Sequence, residues 1–206
     1  MTVNRAVKTL ISADFLLLSG WGLLAPIFAI FLINNIQGGN VRIVGFAAAI
    51  YWISKSLLQP FIGRYLDKNH GEKDDFWFMF FGLIITSFVP IGFILSQYPW
   101  HIYVLQFLHA LGMALNIPPW AAIFTRHIDK GKEAFEWSLS STAIGLGAGI
   151  AGALGGWLAS IFGFKIIFIG VSIFTLISAL SLLFIYKEII PKNHRLPPIG
   201  IRNFPK

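Results

Sequence analysis

Apolar residues run in six long blocks, at about residues 7–34, 41–66, 75–96, 100–126, 133–161 and 165–187, with short polar turns between them. Each block reaches the roughly 20 residues that a helix needs to cross the hydrocarbon of a bilayer. The blocks are continuous rather than alternating, which excludes a barrel pattern and leaves helices to satisfy the backbone internally. The pattern therefore predicts an all-α integral membrane protein, a six-transmembrane-helix bundle over residues 1–187. The first block exceeds the apolar core of a signal peptide and carries no clear small-residue cleavage site, so it is expected to remain as a span. From about residue 188 to residue 206 the pattern changes. Pro191, Pro197, Pro198 and Pro205 lie there among basic residues. A proline-containing basic tail on an anionic membrane surface is expected, with no helix assigned.

Composition strengthens the membrane reading. Hydrophobic residues make up 56% of the 206 and charged residues 12%, against about a quarter charged in a soluble domain; the mean hydropathy is +0.71. No cysteine is present, which removes thiolate catalysis and thiolate metal sites. The net charge of +7 sits in turns and tails beside the spans, so lipid headgroups rather than nucleic acid are its expected counter-charge. Arg5 and Lys8 precede the first span, Arg64, Lys68 and Lys73 follow the second, and Arg126, Lys130 and Lys132 follow the fourth. Lys187, Lys192, Arg195, Arg202 and Lys206 close the chain, while the opposite turns offer Arg42 and Lys165. The positive-inside rule then places both termini in the cytoplasm of a plasma or inner membrane. Tyr98 and Trp100, in the turn between spans three and four, are expected at the opposite headgroup level.

Polar residues are distributed unevenly among the spans. Span one holds Asp14, span two Lys55 and span four His109, whereas spans three, five and six have apolar centres. Ionisable groups inside a span face protein or a watery cavity because hydrocarbon penalises them, so spans one, two and four are expected to line something polar. Spans three and six, rich in Phe, Ile and Leu all round, are expected as lipid-facing supports. Asp14 lies roughly 9 Å of helix rise beyond Lys8, and so serves either a cavity or the cytoplasmic interface. Lys55 is too deep for easy snorkelling and reads as a functional cation. His109 reads as polar glue between helices or as a cavity group. The stretch Asn116-Ile117-Pro118-Pro119-Trp120 is expected to interrupt span four, either exposing carbonyls to a substrate or simply kinking the helix. Trp21, Trp52 and Trp120 read as stacking surfaces for an apolar substrate or as fillers of helix interfaces.

After span two comes Gly63-Arg64-Tyr65-Leu66-Asp67-Lys68, and its G-x-x-x-D-[RK] core resembles the cytoplasmic gate turn of major facilitator superfamily transporters. Gly71 follows the aspartate one residue later than in that pattern, and Glu72 stands where a base is usual. Gly20-Trp21-Gly22-Leu23-Leu24-Ala25-Pro26 resembles the G-x-G-x-x-x-P stretch of drug-exporting members. Gly147, Gly149, Gly152, Gly155 and Gly156 resemble the glycine-rich antiporter motif, with Gly152 in the place of its proline. The family's arginine in span four is absent; Leu108 and His109 precede Gly112.

The resemblance covers about residues 10–187 and implies one half of a transporter that normally has two six-helix halves around a central substrate site. It implies no enzyme and no cofactor or metal. It implies a secondary transporter of small molecules working by alternating access, with proton coupling open. Asp14, Lys55, His109, Asn116, Trp21 and Trp52 are the expected substrate or proton pathway, and Gly63, Asp67 and Lys68 the cytoplasmic gate. A second copy in parallel is the expected partner, packed through the small-residue face of Gly145, Gly149, Gly152 and Gly156. Asp67 would then approach the partner's fifth span around Glu136 to Ser140. Two copies of Lys55 in one cavity favour an anionic substrate or lysines that give up their proton more readily. The alternatives are a non-transporting assembly or regulatory half that pairs with another chain, and a truncated transporter. No G-x-S-x-G, H-E-x-x-H or paired intramembrane carboxylates support an intramembrane enzyme.

Overall fold

The computed structural model describes residues 3–69 and 71–186. Seven α-helices follow one another: α1 (Arg5–Leu24), α2 (Phe28–Asn35), α3 (Val41–Asn69), α4 (Glu72–Leu95), α5 (Pro99–His127), α6 (Glu133–Phe162) and α7 (Phe164–Ser181). A 3-10 turn, Leu182–Phe184, extends α7, and no strand occurs among the described residues. Six of these segments are long and apolar enough to cross a membrane. The expected tail at 188–206 lies outside the described residues.

Local chemistry explains the breaks. Asn4 caps α1 by accepting the Ala6 amide at 2.9 Å, and Asn40 caps α3 by accepting the Arg42 amide at 2.9 Å. The first apolar block is divided into α1 and α2 at Ala25, Pro26 and Ile27. Pro26 has no N–H to donate and its ring crowds the carbonyl four residues back, so one straight helix cannot continue through it. Gly163, at φ +76, turns α6 directly into α7 in a conformation that side chains rarely adopt. Span four differs from expectation in the opposite sense. α5 runs unbroken through Pro118 and Pro119, although the missing donors leave the carbonyls of Ala114 and Leu115 without their usual helical partners.

Packing sorts the helices into three roles. α4 and α7 form the back of the bundle and pack on each other, α5 on α4 and α1 on α7. The flanks α3 and α6 each rest mainly on one neighbour, α3 on α5 and α6 on α1. Each half of the chain thus lends its middle span to the first helix of the other half. Small residues make the tight seams, as expected where lipid removes the hydrophobic drive between helices. A Cβ on Gly82 of α4 would lie 2.5 Å from the Gly112 carbonyl of α5. One on Gly22 of α1 would lie 3.0 Å from Ala148 of α6, and one on Gly155 would strike the Leu23 backbone.

Spans three and six therefore do more than support. α4 and α7 do present Phe81, Phe88, Ile173 and Ile177 outward, but they are also among the better-buried helices. The least buried are α3 and α6.

Candidate functional site

Two cavities open on the face formed by α1, α3, α5 and α6. The first, about 460 Å³, lies toward the end of the bundle that carries α2 and is lined mainly by apolar and aromatic side chains. Inside it Trp21 stacks on His109 at 3.7 Å between ring centroids and 10° between planes, and Tyr51 stacks on His109 at 4.4 Å. Tyr51 also meets Trp52 edge-on at 5.3 Å. Lys55, one turn further along α3, holds its Nζ 3.7 Å from the centre of the Trp52 ring and 5.0 Å from that of Tyr51. It is 8% exposed, and among the described residues no carboxylate pairs with it. Its charge is therefore met by aromatic faces alone.

The second cavity, about 340 Å³, lies toward the N-terminal end of α1. Asp14, Asn116, Trp120, Trp137, Ser140 and Ser141 line it. Asn116 is buried, and its Oδ1 has no hydrogen-bond partner; the same holds for Trp120 Nε1. Leu18 and Met113 border both cavities. The expected pathway residues therefore share one face but occupy two compartments: Trp21, Trp52 and His109 with neighbouring Lys55 in the first, Asp14 and Asn116 in the second.

Several contributors escaped the sequence. Tyr51 is one helical turn before Lys55, and Gln106 is three residues before His109 on the same helix face, so spacing from the known polar positions would have found both. Gln106 is buried with its Oε1 unpartnered. Ser140 and Ser141 carried no signal beyond their type.

At the N-terminal end of the bundle, Arg126 of α5 bonds to Asp75 of α4, which is 1% exposed, and lies 4.0 Å from Glu72. His127 Nδ1 is 3.7 Å from Glu72. In the α5–α6 turn Lys132 donates to Asp129 at 2.8 Å, and that hydrogen bond with the nearby carboxylates holds its ammonium above the ordinary lysine range. Asp67 and Lys68 are exposed at the end of α3. A Cβ on Gly63 would meet only Pro118, at 3.9 Å, so no close helix approach occurs at Gly63 within the chain. Gly145, Gly149 and Gly156 face open space, and Gly152 has only the Gly22 carbonyl, 3.8 Å from its notional Cβ. Intrachain contact on α6 is made instead by Gly147 and Gly155. No group of three or more metal-ligating side chains occurs among the described residues.

Three comparisons bear on this arrangement. The family model of the Major Facilitator Superfamily matches residues 10–203. Multidrug resistance protein 2 of Bacillus subtilis (strain 168) is 30% identical over 193 residues, covering 91% of this chain and 46% of that protein. The chain thus spans about half the length of this curated relative. The in meso crystal structure of the POT family transporter PepTSo superimposes with a TM-score of 0.75 at 14% identity, over 96% of this chain and 41% of that one. At that identity the likeness is one of fold.

Proposed function

The chain belongs to the Major Facilitator Superfamily, and from that premise we propose that it works as one six-helix half of a secondary transporter of small molecules, completed by a second half across the cavity face. One observation carries the reading: both cavities, with Asp14, His109 and Asn116 in their walls and Lys55 beside the first on Trp52, open on the α1, α3, α5 and α6 face. Against hydrocarbon such a face is costly, whereas against a facing half it encloses a central site near the midplane. A parallel second copy, related by a two-fold axis along the membrane normal, supplies that half in the cell membrane with both termini cytoplasmic. Rocking of the two halves then alternates access to the site. The relative of about twice the length, itself named for multidrug resistance, is consistent with two halves acting together on small-molecule cargo.

In this assembly the open face of Gly145, Gly149, Gly152 and Gly156 meets the partner, and Asp67 with Lys68 forms the cytoplasmic gate. Glu136 and Ser140 are already buried inside the chain. The partner's Asp67 therefore meets the exposed start of α6, around Phe135, Ser138 and Leu139. Asp14, in the second cavity, is the group for proton coupling. The test is flux into lipid vesicles of one anionic and one cationic amphipathic dye, with and without an acid gradient. Saturable flux above that of empty vesicles is expected, and flux equal to empty vesicles would contradict transport. Acceleration by the gradient, lost in Asp14→Asn, is the expected sign of coupling; a gradient response that survives the substitution removes Asp14 from that role.

A further inference from the structure

We propose that the first cavity selects a planar aromatic monoanion, whose carboxylate takes the Lys55 ammonium while its ring lies on the aromatic surface of Tyr51, Trp52 and Trp21. The proposal names the cargo of the same site and rests on the transport reading. Three observations converge on it. The cavity of about 460 Å³ has room for a two-ring molecule, and no carboxylate lines the walls. Among the described residues Lys55 is the cation beside them; it has no carboxylate partner there and is parked on the Trp52 ring at 3.7 Å. Two further wall groups, Gln106 Oε1 and Trp21 Nε1, are buried without hydrogen-bond partners, which marks this wall as polar capacity not used within the chain.

An exchange follows from these positions. In the empty site the ammonium is balanced only by the quadrupole of two rings, a weaker partner than a carboxylate in a low-dielectric setting. An arriving carboxylate draws Nζ off the indole, and the freed Trp52 face becomes a stacking surface for the ligand ring. Charge and ring are therefore recognised together. A cationic ligand meets repulsion from Lys55, and the carboxylate that would suit it, Asp14, lies in the other cavity beyond Leu18 and Met113.

The test uses the full chain in phosphatidylcholine nanodiscs, where 2-naphthoate, its neutral isostere 2-naphthamide and the aliphatic anion octanoate are titrated by calorimetry. Naphthoate is expected to bind at least about tenfold tighter than either comparison ligand. Lys55→Met should erase the preference for naphthoate over naphthamide while leaving naphthamide affinity within about twofold, and Lys55→Arg should restore part of the preference. Naphthamide binding as tightly as naphthoate, a preference that survives Lys55→Met, or no naphthoate binding would overturn the proposal. Octanoate binding equal to naphthoate would overturn the planar part, and would point to a fatty-acid or lipid anion instead. Vesicle flux separates the two claims. Naphthoate binding with selectivity but no flux of any dye would overturn transport alone, whereas cationic dye flux without naphthoate binding would overturn the cargo class alone.

Discussion

The pair α4 and α7 and the pair α3 and α6 answer the same solvent in opposite ways. α4 and α7 are the two most apolar spans, yet 44% of the residues in each apolar window are buried; in the less apolar α3 and α6 only 17% are. A protein complete in lipid would place its most apolar helices outside. Here the helices carrying Lys55, Ser141, Thr142 and the open glycines are left on the surface, and the lipid-suited ones are half inside. One side of the bundle is thus closed by its own helices, and the other is left open, as the proposed second half requires. Within α6 the same contrast runs around a single helix, with Gly147 and Gly155 pressed against α1 while Gly145 and Gly149 touch nothing.

Added bulk should act oppositely on the two sides. Gly82→Val at the finished seam puts a Cβ 2.5 Å from the Gly112 carbonyl, backbone that cannot step aside. Overpacking of this kind costs about 1–3 kcal/mol, so a clear drop in the thermal midpoint in detergent is expected. Gly145→Ala, on the open side, should leave that midpoint unchanged or raise it by up to about 1 kcal/mol equivalent, because nothing lies within 4 Å and alanine suits a helix interior better than glycine. Equal losses from both would abolish the distinction.

Smaller effects sharpen it. Arg126→Ala leaves the buried Asp75 without its cation on the α4–α5 seam. Roughly 1–3 kcal/mol of destabilisation is expected from the orphaned carboxylate, tempered because Arg126 is itself 40% exposed. Chemical denaturation of the isolated chain measures it, and an unchanged midpoint would place no weight on this pair. Asp67→Asn should leave both stability and assembly as they are, since Asp67 is exposed and outside the seams. Its effect is expected in vesicle flux, as altered gating; wild-type flux would defeat the gate assignment.

Much of this was legible in the sequence. Six spans follow from block length, because backbone satisfaction in lipid leaves helices as the answer to a long apolar run. Lys55, Asp14 and His109 stood out because hydrocarbon penalises them. What stayed hidden was direction around each helix. α6 carries glycines on several faces, and spacing alone does not tell whether Gly147 or Gly149 meets α1. The division of the site into two compartments also depends on where Leu18 and Met113 point, and apolar identity carries no such information. Span four misled for a physical reason as well: α5 continues through Pro118 and Pro119, which membrane helices tolerate when the freed carbonyls are met by neighbours.

The measurement that most directly tests the need for a second half is the protein mass per nanodisc of the purified chain, compared between wild type and Gly149→Trp. A wild-type population at twice the 22.9 kDa chain mass is expected. Gly149→Trp should shift discs to a single folded copy, because the open face tolerates the ring within the chain but not against a partner. Wild-type discs that hold one 22.9 kDa copy at every protein-to-disc ratio, while the same preparation gives saturable flux in sealed vesicles, would contradict it.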